Sequence, residues 1–166
     1  MTNADFTAVF NEHKDSVYRF AWRMTGSAST AEDVAQDCFI VLLRTPERYN
    51  AGRGPLRAFL IGVARNIILN RWRAESRWSP LDDDTFVAEP LDPGRFEASE
   101  MVGRAVQSLP PLQREALILA EYEEMSVEEV ALAVDSEVSA VKARLHRGRE
   151  NLRRLLAPLR NSTCNL

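Results

Sequence analysis

Apolar residues recur at spacings of three and four along most of the chain, which is the period of an amphipathic α-helix. The pattern predicts helices over about 6–24, 29–44 and 56–73, separated by turn-forming residues. Ser29 and Glu32 have the S-x-x-E spacing of a capping box at the start of the second helix. No stretch alternates apolar and polar residues long enough to predict a β-strand, so we expect an all-α fold.

The helical pattern stops between residues 74 and 100, which contain three prolines and three consecutive aspartates. This segment carries eight acids and two bases, whereas residues 1–73 have a net charge of +3 and residues 101–166 of zero. Such a composition is typical of a solvated linker. We therefore expect two small helical domains, 1–75 and 101–160, each with its own hydrophobic core, joined by an acidic flexible linker over 76–100.

A different helical arrangement is predicted after the linker. The pattern indicates a helix over about 110–122, a short helix over 127–134, a three-residue turn and a longer helix over 138–156. Ser126 and Glu129 form a second S-x-x-E capping box. A short capped helix, a tight turn and a longer helix are typical of a helix-turn-helix.

Charge divides sharply at this turn. Residues 114–137 contain eight acids and one base, whereas residues 138–154 contain six bases and one acid. In a helix-turn-helix the second helix enters the major groove of DNA, where lysine and arginine can bond guanine edges or phosphates. The candidate DNA-binding residues on this helix are Ser139, Lys142, Ala143, Arg144, His146, Arg147 and Arg149. The alternative interpretation is a solvated basic face on an ordinary surface helix.

Three segments of the second half, 109–115, 125–131 and 141–149, resemble the C-terminal domain of a bacterial RNA polymerase sigma factor. The resemblance is closest to the extracytoplasmic-function group of the sigma-70 family. It implies binding to the minus-thirty-five promoter element and to the flap of the polymerase beta subunit. The family's base-reading positions fall on Lys142, Ala143, His146 and Arg147.

Residues 31–39 resemble the helix with which this family grips the coiled coil of the polymerase beta-prime subunit. The resemblance implies that Asp33, Gln36, Asp37 and Phe39 contact core polymerase. Asp33 and Asp37 are one helical turn apart and share a face, which would suit a basic protein partner. Capping and interaction with the helix dipole are the alternative roles for acids near this helix start.

Segments 54–60 and 63–73 resemble the part of the family that melts and holds the minus-ten element. Side chains of this region could donate to phosphates and bases, and the preceding loop could receive an unstacked base. The candidate residues are Tyr49, Asn50, Arg53, Arg57, Arg65, Asn66, Asn70, Arg71 and Arg73. Trp72 could stack on DNA, but packing against a neighbouring helix is the favoured interpretation.

The sequence departs from the family at the helix-turn-helix. Asp135 stands where the turn commonly has glycine, and Glu137 stands where a residue usually caps the next helix. We expect Ser136 to provide the cap one position earlier.

Other classes of chemistry have no support in the sequence. His13 and His146 lie in different domains, Cys38 is expected to be a small buried hydrophobe, and Cys164 lies in a polar tail. We therefore expect no catalytic set, no metal site and no cofactor. The N-terminus has no leader pattern and no apolar run is long enough to span a membrane, so we expect a cytoplasmic protein with no membrane insertion of its own.

These patterns predict an alternative sigma factor that binds core RNA polymerase and directs promoter recognition, duplex opening and transcription initiation. The resemblance also implies an anti-sigma factor as a partner, which can hold such a protein at the membrane. The alternative is a helix-turn-helix regulator that binds duplex DNA without polymerase. Capture of core polymerase by the purified protein would distinguish the two.

Overall fold

The computed structural model describes residues 1–77 and 82–159, and every regular element in these residues is helical. The all-α prediction is therefore confirmed. The helices are α1 (Asn3–Thr25), α2 (Ala28–Arg44), α3 (Leu56–Ala74), α4 (Asp82–Thr85), α5 (Ala98–Ser108), α6 (Pro111–Leu117), α7 (Val127–Ala133) and α8 (Val138–Leu155). A 3₁₀ turn covers Pro46–Arg48, and a π-helical turn, Ile118–Tyr122, extends α6. None of the described helices is long and apolar enough to cross a membrane.

The first half of the chain, α1 to α3, is a three-helix unit with an apolar interior. Its largest fully buried side chains are Phe20, Met24, Leu60, Ile61 and Ile68. Cys38 is also buried, and its thiol donates to the carbonyl of Leu60 at 3.2 Å. Burial raises the pKa of the Cys38 thiol to about 12, which makes it inert. Cys38 is thus the buried hydrophobe that was predicted, and Cys164 lies outside the described residues.

The cap of α2 differs from the prediction. Helix α1 ends at Thr25, its C-cap Gly26 has a left-handed φ of 71°, and the chain leaves this turn extended at Ser27. The Ser27 hydroxyl accepts from the amide of Thr30 at 3.2 Å, so Ser27 is the N-cap. Ser29 is already inside the helix, and the predicted capping box with Glu32 is wrong.

The helix-turn-helix forms between α7 and α8. Ser126 caps α7 by accepting from the amide of Glu129 at 3.1 Å, but the Glu129 carboxylate bonds Arg57, so only the Ser126 half of the predicted capping box forms. Asp135 adopts the left-handed conformation, with φ 50°, at the position that favours glycine. The prediction for Ser136 is wrong, because Glu137 is the N-cap without a side-chain bond and the Ser136 hydroxyl bonds within the turn to the carbonyl of Val134.

The described part of the linker lies on the second half of the chain, which comprises helices α5 to α8. The amide of Leu91 donates to the carbonyl of Leu155 at 3.0 Å, which ties the linker to the end of α8. Asp83 and Ala88 are buried. These contacts hold the segment against the helices. Its polar composition predicted a solvated linker and gave no sign that some of its residues would be packed.

The two halves pack against each other, and most of their buried apolar residues form one connected cluster. This packing of one half on the other was not predicted from the sequence. The reason lies in α3, which buries residues on more than one side, including Leu60, Ile61, Val63 and Ala64. One side meets α1 and α2, and another meets α7, where a Cβ atom on Gly62 would lie 2.9 Å from the carbonyl oxygen of Ala133.

Candidate nucleic-acid interface

Helix α8 presents a polar face to solvent and buries the opposite face. Val141, Leu145, Gly148 and Leu155 are buried against the rest of the second half. The exposed residues, called here the basic face, are Ser139, Lys142, Ala143, His146, Arg147 and Arg149. The face begins in the first turn of α8, directly after the turn, which is the part of such a helix that reaches base edges.

Two arginines of α8 are held by neighbouring side chains. Arg144 is half-buried and donates to the hydroxyl of Ser136 at 3.0 Å, so it braces the turn. Arg149 donates twice to Glu121, at 3.0 and 2.7 Å, which ties α8 to the π-helical turn. Among the predicted DNA-binding residues, Ser139, Lys142, Ala143, His146 and Arg147 remain as the exposed group without such a bond to the described residues.

A buried polar contact orients α8 from behind, and sequence reasoning missed it. Gln113 of α6 is almost completely buried, and its side-chain oxygen accepts from Asn151 at 2.7 Å. A buried amide with a partner on another helix fixes the register of the two helices. The only sequence signal for this contact is that Gln113 directly follows the apolar position of Leu112.

The loop before α3 is ordered by its own side chains. The Tyr49 hydroxyl donates to the carbonyl of Gly54 at 3.2 Å, and its ring packs on Phe59 with a centroid distance of 5.5 Å. Asn50 accepts from the amide of Gly52 at 2.9 Å, which forms a tight Asx turn. Asn50 and Arg53 are therefore exposed on a shaped loop, whereas Tyr49 is half-buried within it.

The polar residues of α3 differ in exposure and in their contacts. Asn66, Asn70 and Arg73 are exposed. Three arginines make ion pairs with acids of neighbouring elements: Arg57 lies 2.9 Å from Glu129, Arg65 lies 2.8 Å from Glu115, and Arg71 lies 3.5 Å from Asp37. Trp72 is buried, with the guanidinium of Arg114 5.3 Å from its ring, so it packs inside the protein as the favoured interpretation expected.

A groove of about 770 Å³ runs between the loop and the second half. Tyr49, Asn50 and Arg53 line one wall, whereas Glu128, Asp135 and Glu137 line the other. The structure thus brings the candidate minus-ten loop together with acids of the helix-turn-helix. The loop faces a negative wall in this arrangement, which repels phosphates.

The residues expected to contact polymerase lie on α2, away from that groove. Asp33 and Gln36 are exposed, Asp37 is half-buried beside Arg71, and Phe39 is only 3% exposed. The Phe39 ring packs edge-on against Phe10 with a centroid distance of 5.0 Å. Phe39 therefore forms the floor of the surface rather than its exposed part.

An aromatic groove of about 690 Å³ adjoins Gln36 between α1 and α2, and sequence reasoning missed it. Phe6 and Phe10 of α1 both line this groove, and Phe10 is partly exposed. Leu43 on α2 is exposed at the same groove. An exposed apolar groove with acids at its rim, Asp15 and Glu32, is a surface suited to a protein partner.

No group of three or more histidine, cysteine or acidic side chains that could hold a metal ion is found in residues 1–77 and 82–159.

Comparison with known proteins shows the same division of the chain. Residues 9–77 match Sigma-70 region 2, and residues 99–152 match Sigma-70, region 4. The chain is 33% identical over 152 residues to the ECF RNA polymerase sigma factor SigE of Mycolicibacterium smegmatis, covering 88% of this chain and 59% of SigE. It is 28% identical to the ECF RNA polymerase sigma factor SigW of Bacillus subtilis, covering 93% of this chain and 90% of SigW.

Solved structures share the fold. The sigma factor RpoE of Bartonella quintana, in complex with the anti-sigma factor NepR, aligns with a TM-score of 0.73 and 24% identity over 92% of this chain and 97% of that chain. CnrH, in complex with the cytosolic domain of CnrY, aligns with a TM-score of 0.70 and 24% identity over 95% and 90% of the two chains. With region 2 and region 4 matched in order along one all-helical chain, the protein belongs to the extracytoplasmic-function group of the sigma-70 family of RNA polymerase sigma factors.

Proposed function

We propose that this chain, a transcription initiation factor by family, divides promoter recognition between its halves. In this proposal α2 docks on core RNA polymerase, α3 and its preceding loop hold the opened minus-ten element, and α8 reads the minus-thirty-five element. The observation that carries the proposal is the basic face of α8. It presents Lys142, His146 and Arg147 to solvent immediately after the turn of a helix-turn-helix.

Recognition of the minus-thirty-five element fits the chemistry of that face. Lysine and arginine can donate to the acceptor edge of guanine, and the flat exposed Ala143 permits close approach to a thymine methyl group. Arg144 and Arg149 are tied to Ser136 and Glu121, so they position the helix and add positive potential near phosphates.

Binding of the minus-ten strand is supported by the ordered loop and by the cations of α3. Asn50 and Arg53 project from a loop held by Tyr49 and an Asx turn, which preforms a site for an unstacked base. Arg57, Arg65, Arg71 and Arg73 on α3 would neutralise the backbone of a single strand. In the free chain Arg57 and Arg65 are paired with carboxylates of the second half, so strand binding must exchange those partners for phosphates.

Polymerase docking is supported by the exposed part of α2 and the aromatic groove beside it. Asp33 and Gln36 would meet basic and polar groups of the partner, and the groove would accept an apolar side chain. Phe39 supports this surface from below. The beta subunit would bind the second half.

We also propose an anti-sigma factor as a regulator and a cytoplasmic location, where a membrane-bound anti-sigma factor could hold the protein. The support is that RpoE and CnrH, which share this fold, were solved with the anti-sigma factor NepR and with the cytosolic domain of CnrY, respectively.

Run-off transcription with core polymerase on a library of genomic promoters tests the proposed function. We expect promoter-specific transcripts only when the protein is added, and capture of core polymerase by the immobilised protein. Strong binding of the isolated protein to duplex DNA, with no capture of core and no specific transcript, would instead identify a regulator that works without polymerase.

A further inference from the structure

Helix α8 meets the rest of the second half mainly through apolar groups. Its buried face packs on α6 and α7, and hydrophobic contact has no preferred direction. Opposite α6 this face carries Gly148, where a Cβ atom would lie 3.6 Å from the Cβ atom of Gln113 and 3.5 Å from a methyl group of Leu117. Glycine has no side chain to interlock with the neighbouring helix. Apolar packing therefore fixes how closely α8 lies on α6 better than it fixes the rotation of α8 about its own axis.

One buried hydrogen bond resists that rotation. Gln113 of α6 is 1% exposed, and its side-chain oxygen accepts from the side-chain amide of Asn151 at 2.7 Å. Asn151 follows Gly148 by three residues and is its neighbour along the helix surface, where the close approach of α6 lets a short side chain reach across. A buried acceptor that loses its partner is costly, because water does not replace the bond. The chain therefore gains most when α8 keeps the rotation that brings Asn151 to Gln113.

Two arginines also hold α8, but less strictly. At about 100° per residue, Asn151 and Arg144 lie on one flank of the buried face and Arg149 lies on the other. Arg144 reaches the hydroxyl of Ser136 through a long, flexible side chain. Arg149 reaches Glu121 in the same way, and the two side chains of that pair are 48% and 51% exposed. Long exposed side chains can follow a small rotation and keep their partners, so the bond of Asn151 is the most restrictive of the three.

We propose that Gln113 is a positioning residue for promoter recognition, which fixes the rotation of α8 through Asn151 and thereby sets how well the basic face discriminates between bases. Gln113 is buried on the side of α8 opposite the basic face, so it acts without contacting DNA itself. This role rests on the proposed function for the DNA that α8 reads.

Base discrimination is sensitive to rotation because the reading atoms lie far from the helix axis. At the outer radius of about 5–6 Å, a rotation of roughly 15° moves a side-chain atom by about 1.5 Å. A bidentate hydrogen bond to a base edge does not survive a shift of that size. A phosphate contact does survive it, since a flexible cation can follow the phosphate. Loss of the restraint at Gln113 should therefore reduce discrimination between sequences more than it reduces binding to DNA in general.

Two substitutions of Asn151 with nearly the same shape separate the hydrogen bond from the packing. Asn151→Leu removes the donor, whereas Asn151→Asp keeps a bond, because the amide of Gln113 can turn over and donate to the carboxylate. Holoenzyme made from core polymerase and each variant is equilibrated with promoter duplexes randomised over the minus-thirty-five element, and the bound DNA is sequenced. We expect Asn151→Leu to lower the preference for the selected sequence at least about fivefold, and Asn151→Asp to keep it within about twofold of the parent.

The double variant Gln113→Met with Asn151→Leu distinguishes orientation from stability. It replaces both partners with apolar groups of similar size, so no buried acceptor is left and urea unfolding should find it as stable as the parent. We still expect the reduced preference, since no directional bond remains between α6 and α8 at this position. Equal preference in the two Asn151 variants overturns the proposal, and so does parent-like preference in the double variant.

The rotation of α8 can also be measured without DNA. Residual dipolar couplings of the backbone amides of α6 and α8 in the full chain report the rotation of one helix against the other. We expect this rotation to change by more than about 10° in the double variant and to keep the parent value in Asn151→Asp. An unchanged rotation in the double variant overturns the proposal. A parent holoenzyme with no sequence preference contradicts the proposed function instead, and these couplings then decide the role of Gln113.

Discussion

At the scale of single residues, the cations of α8 differ in what they contact. Lys142 and Arg147 project from the basic face, whereas Arg144 and Arg149 are bonded to Ser136 and Glu121. An exposed cation near the turn can read a base, and a braced cation cannot turn toward one without losing its partner. Sequence-specific binding should therefore depend on the first pair.

Replacing Lys142 or Arg147 with alanine should weaken promoter binding by about 1–3 kcal/mol if the side chain makes a bidentate contact to a base. Titration of promoter DNA against the complex with core polymerase measures this free energy. Arg154→Ala removes the same charge from the last turn of α8, outside the basic face, and serves as the control. An equal loss in all three variants would indicate a general charge effect rather than base reading.

Glu115 is the residue whose ionisation should couple to folding. Burial raises the pKa of its carboxyl group above the ordinary value of 4.5, while the charge and hydrogen bond of Arg65 and the charge of Arg144 oppose the rise and Asp83 adds to it. Because its folded-state pKa is raised, the stability that this group contributes is complete below pH 4.5 and is lost as the pH rises through the folded-state pKa.

The variant Glu115→Gln mimics the protonated carboxyl group and should therefore change the pH dependence of stability. We expect the free energy of unfolding of the variant to rise relative to that of the parent as the pH increases above 4.5, because only the parent must bury a charge. Urea unfolding at a series of pH values measures both proteins. A constant difference across the series would show that folding does not shift the pKa of Glu115.

At the scale of elements, the contact of α3 with α7 depends on a glycine. Alanine normally stabilises a helix interior relative to glycine by about 1 kcal/mol. At Gly62 the added Cβ atom would meet the Ala133 carbonyl at 2.9 Å, and a backbone atom cannot move aside as a side chain can. The steric cost should outweigh the helix propensity.

We expect Gly62→Ala to lower the free energy of unfolding by about 1–3 kcal/mol, as overpacking in a core does. Gly103→Ala in α5 is the matched control, because a Cβ atom there would have no neighbour within 4 Å among the described residues. The control should be stabilised by roughly 0.5–1 kcal/mol. Stabilisation of both variants in urea unfolding would show that α3 and α7 are not in close contact in solution.

The elements themselves were largely predictable from the sequence, whereas their partners were not. Helical spacing located α3 and α8 to within about one residue, because burial of one face imposes the period. The same period does not say which neighbour covers a face, so the packing of α3 on α7 was missed. The cap at Ser27 was missed because Ser29 and Glu32 fit the same pattern two residues later.

The candidate site shows the same limit. The exposed cations of α8 follow from helical spacing, but the acids of the second half look like solvated residues in the sequence. Glu115 alone carried a signal, since it falls three residues after Leu112 on the apolar side of its helix. Glu123 and Glu129 are recognisable as partners of Arg19 and Arg57 only when the two halves are seen together.

At the scale of the whole molecule, the free chain is closed, with its two halves packed together, and this arrangement covers part of one proposed surface and leaves another open. The loop, Arg57 and Arg65, which are proposed to bind the minus-ten strand, face the second half, whereas Asp33, Gln36 and the aromatic groove between α1 and α2 remain accessible. In the proposed function, core polymerase therefore engages α2 first, and strand binding follows once Arg57 and Arg65 exchange their carboxylate partners for phosphates.

Charge reversal at Asp33 tests the first step of that order. Asp33→Lys should weaken assembly with core polymerase at least about tenfold, roughly 1.4 kcal/mol, because it opposes a basic partner at an exposed position. Asp33 makes no ion pair with the described residues, so its charge reversal should leave the fold and the packing of the two halves unchanged. Charge reversal at Asp37 would also disturb Arg71. Fluorescence titration of the labelled protein with core polymerase measures the affinity, and circular dichroism checks the fold.

Glu12→Lys makes the same change at an exposed acid of α1 that does not line the aromatic groove, and it should leave the affinity within twofold of the parent. If Asp33→Lys binds core as tightly as Glu12→Lys does, polymerase docks on a different face, and the closed chain would then have to open before its first contact with the enzyme.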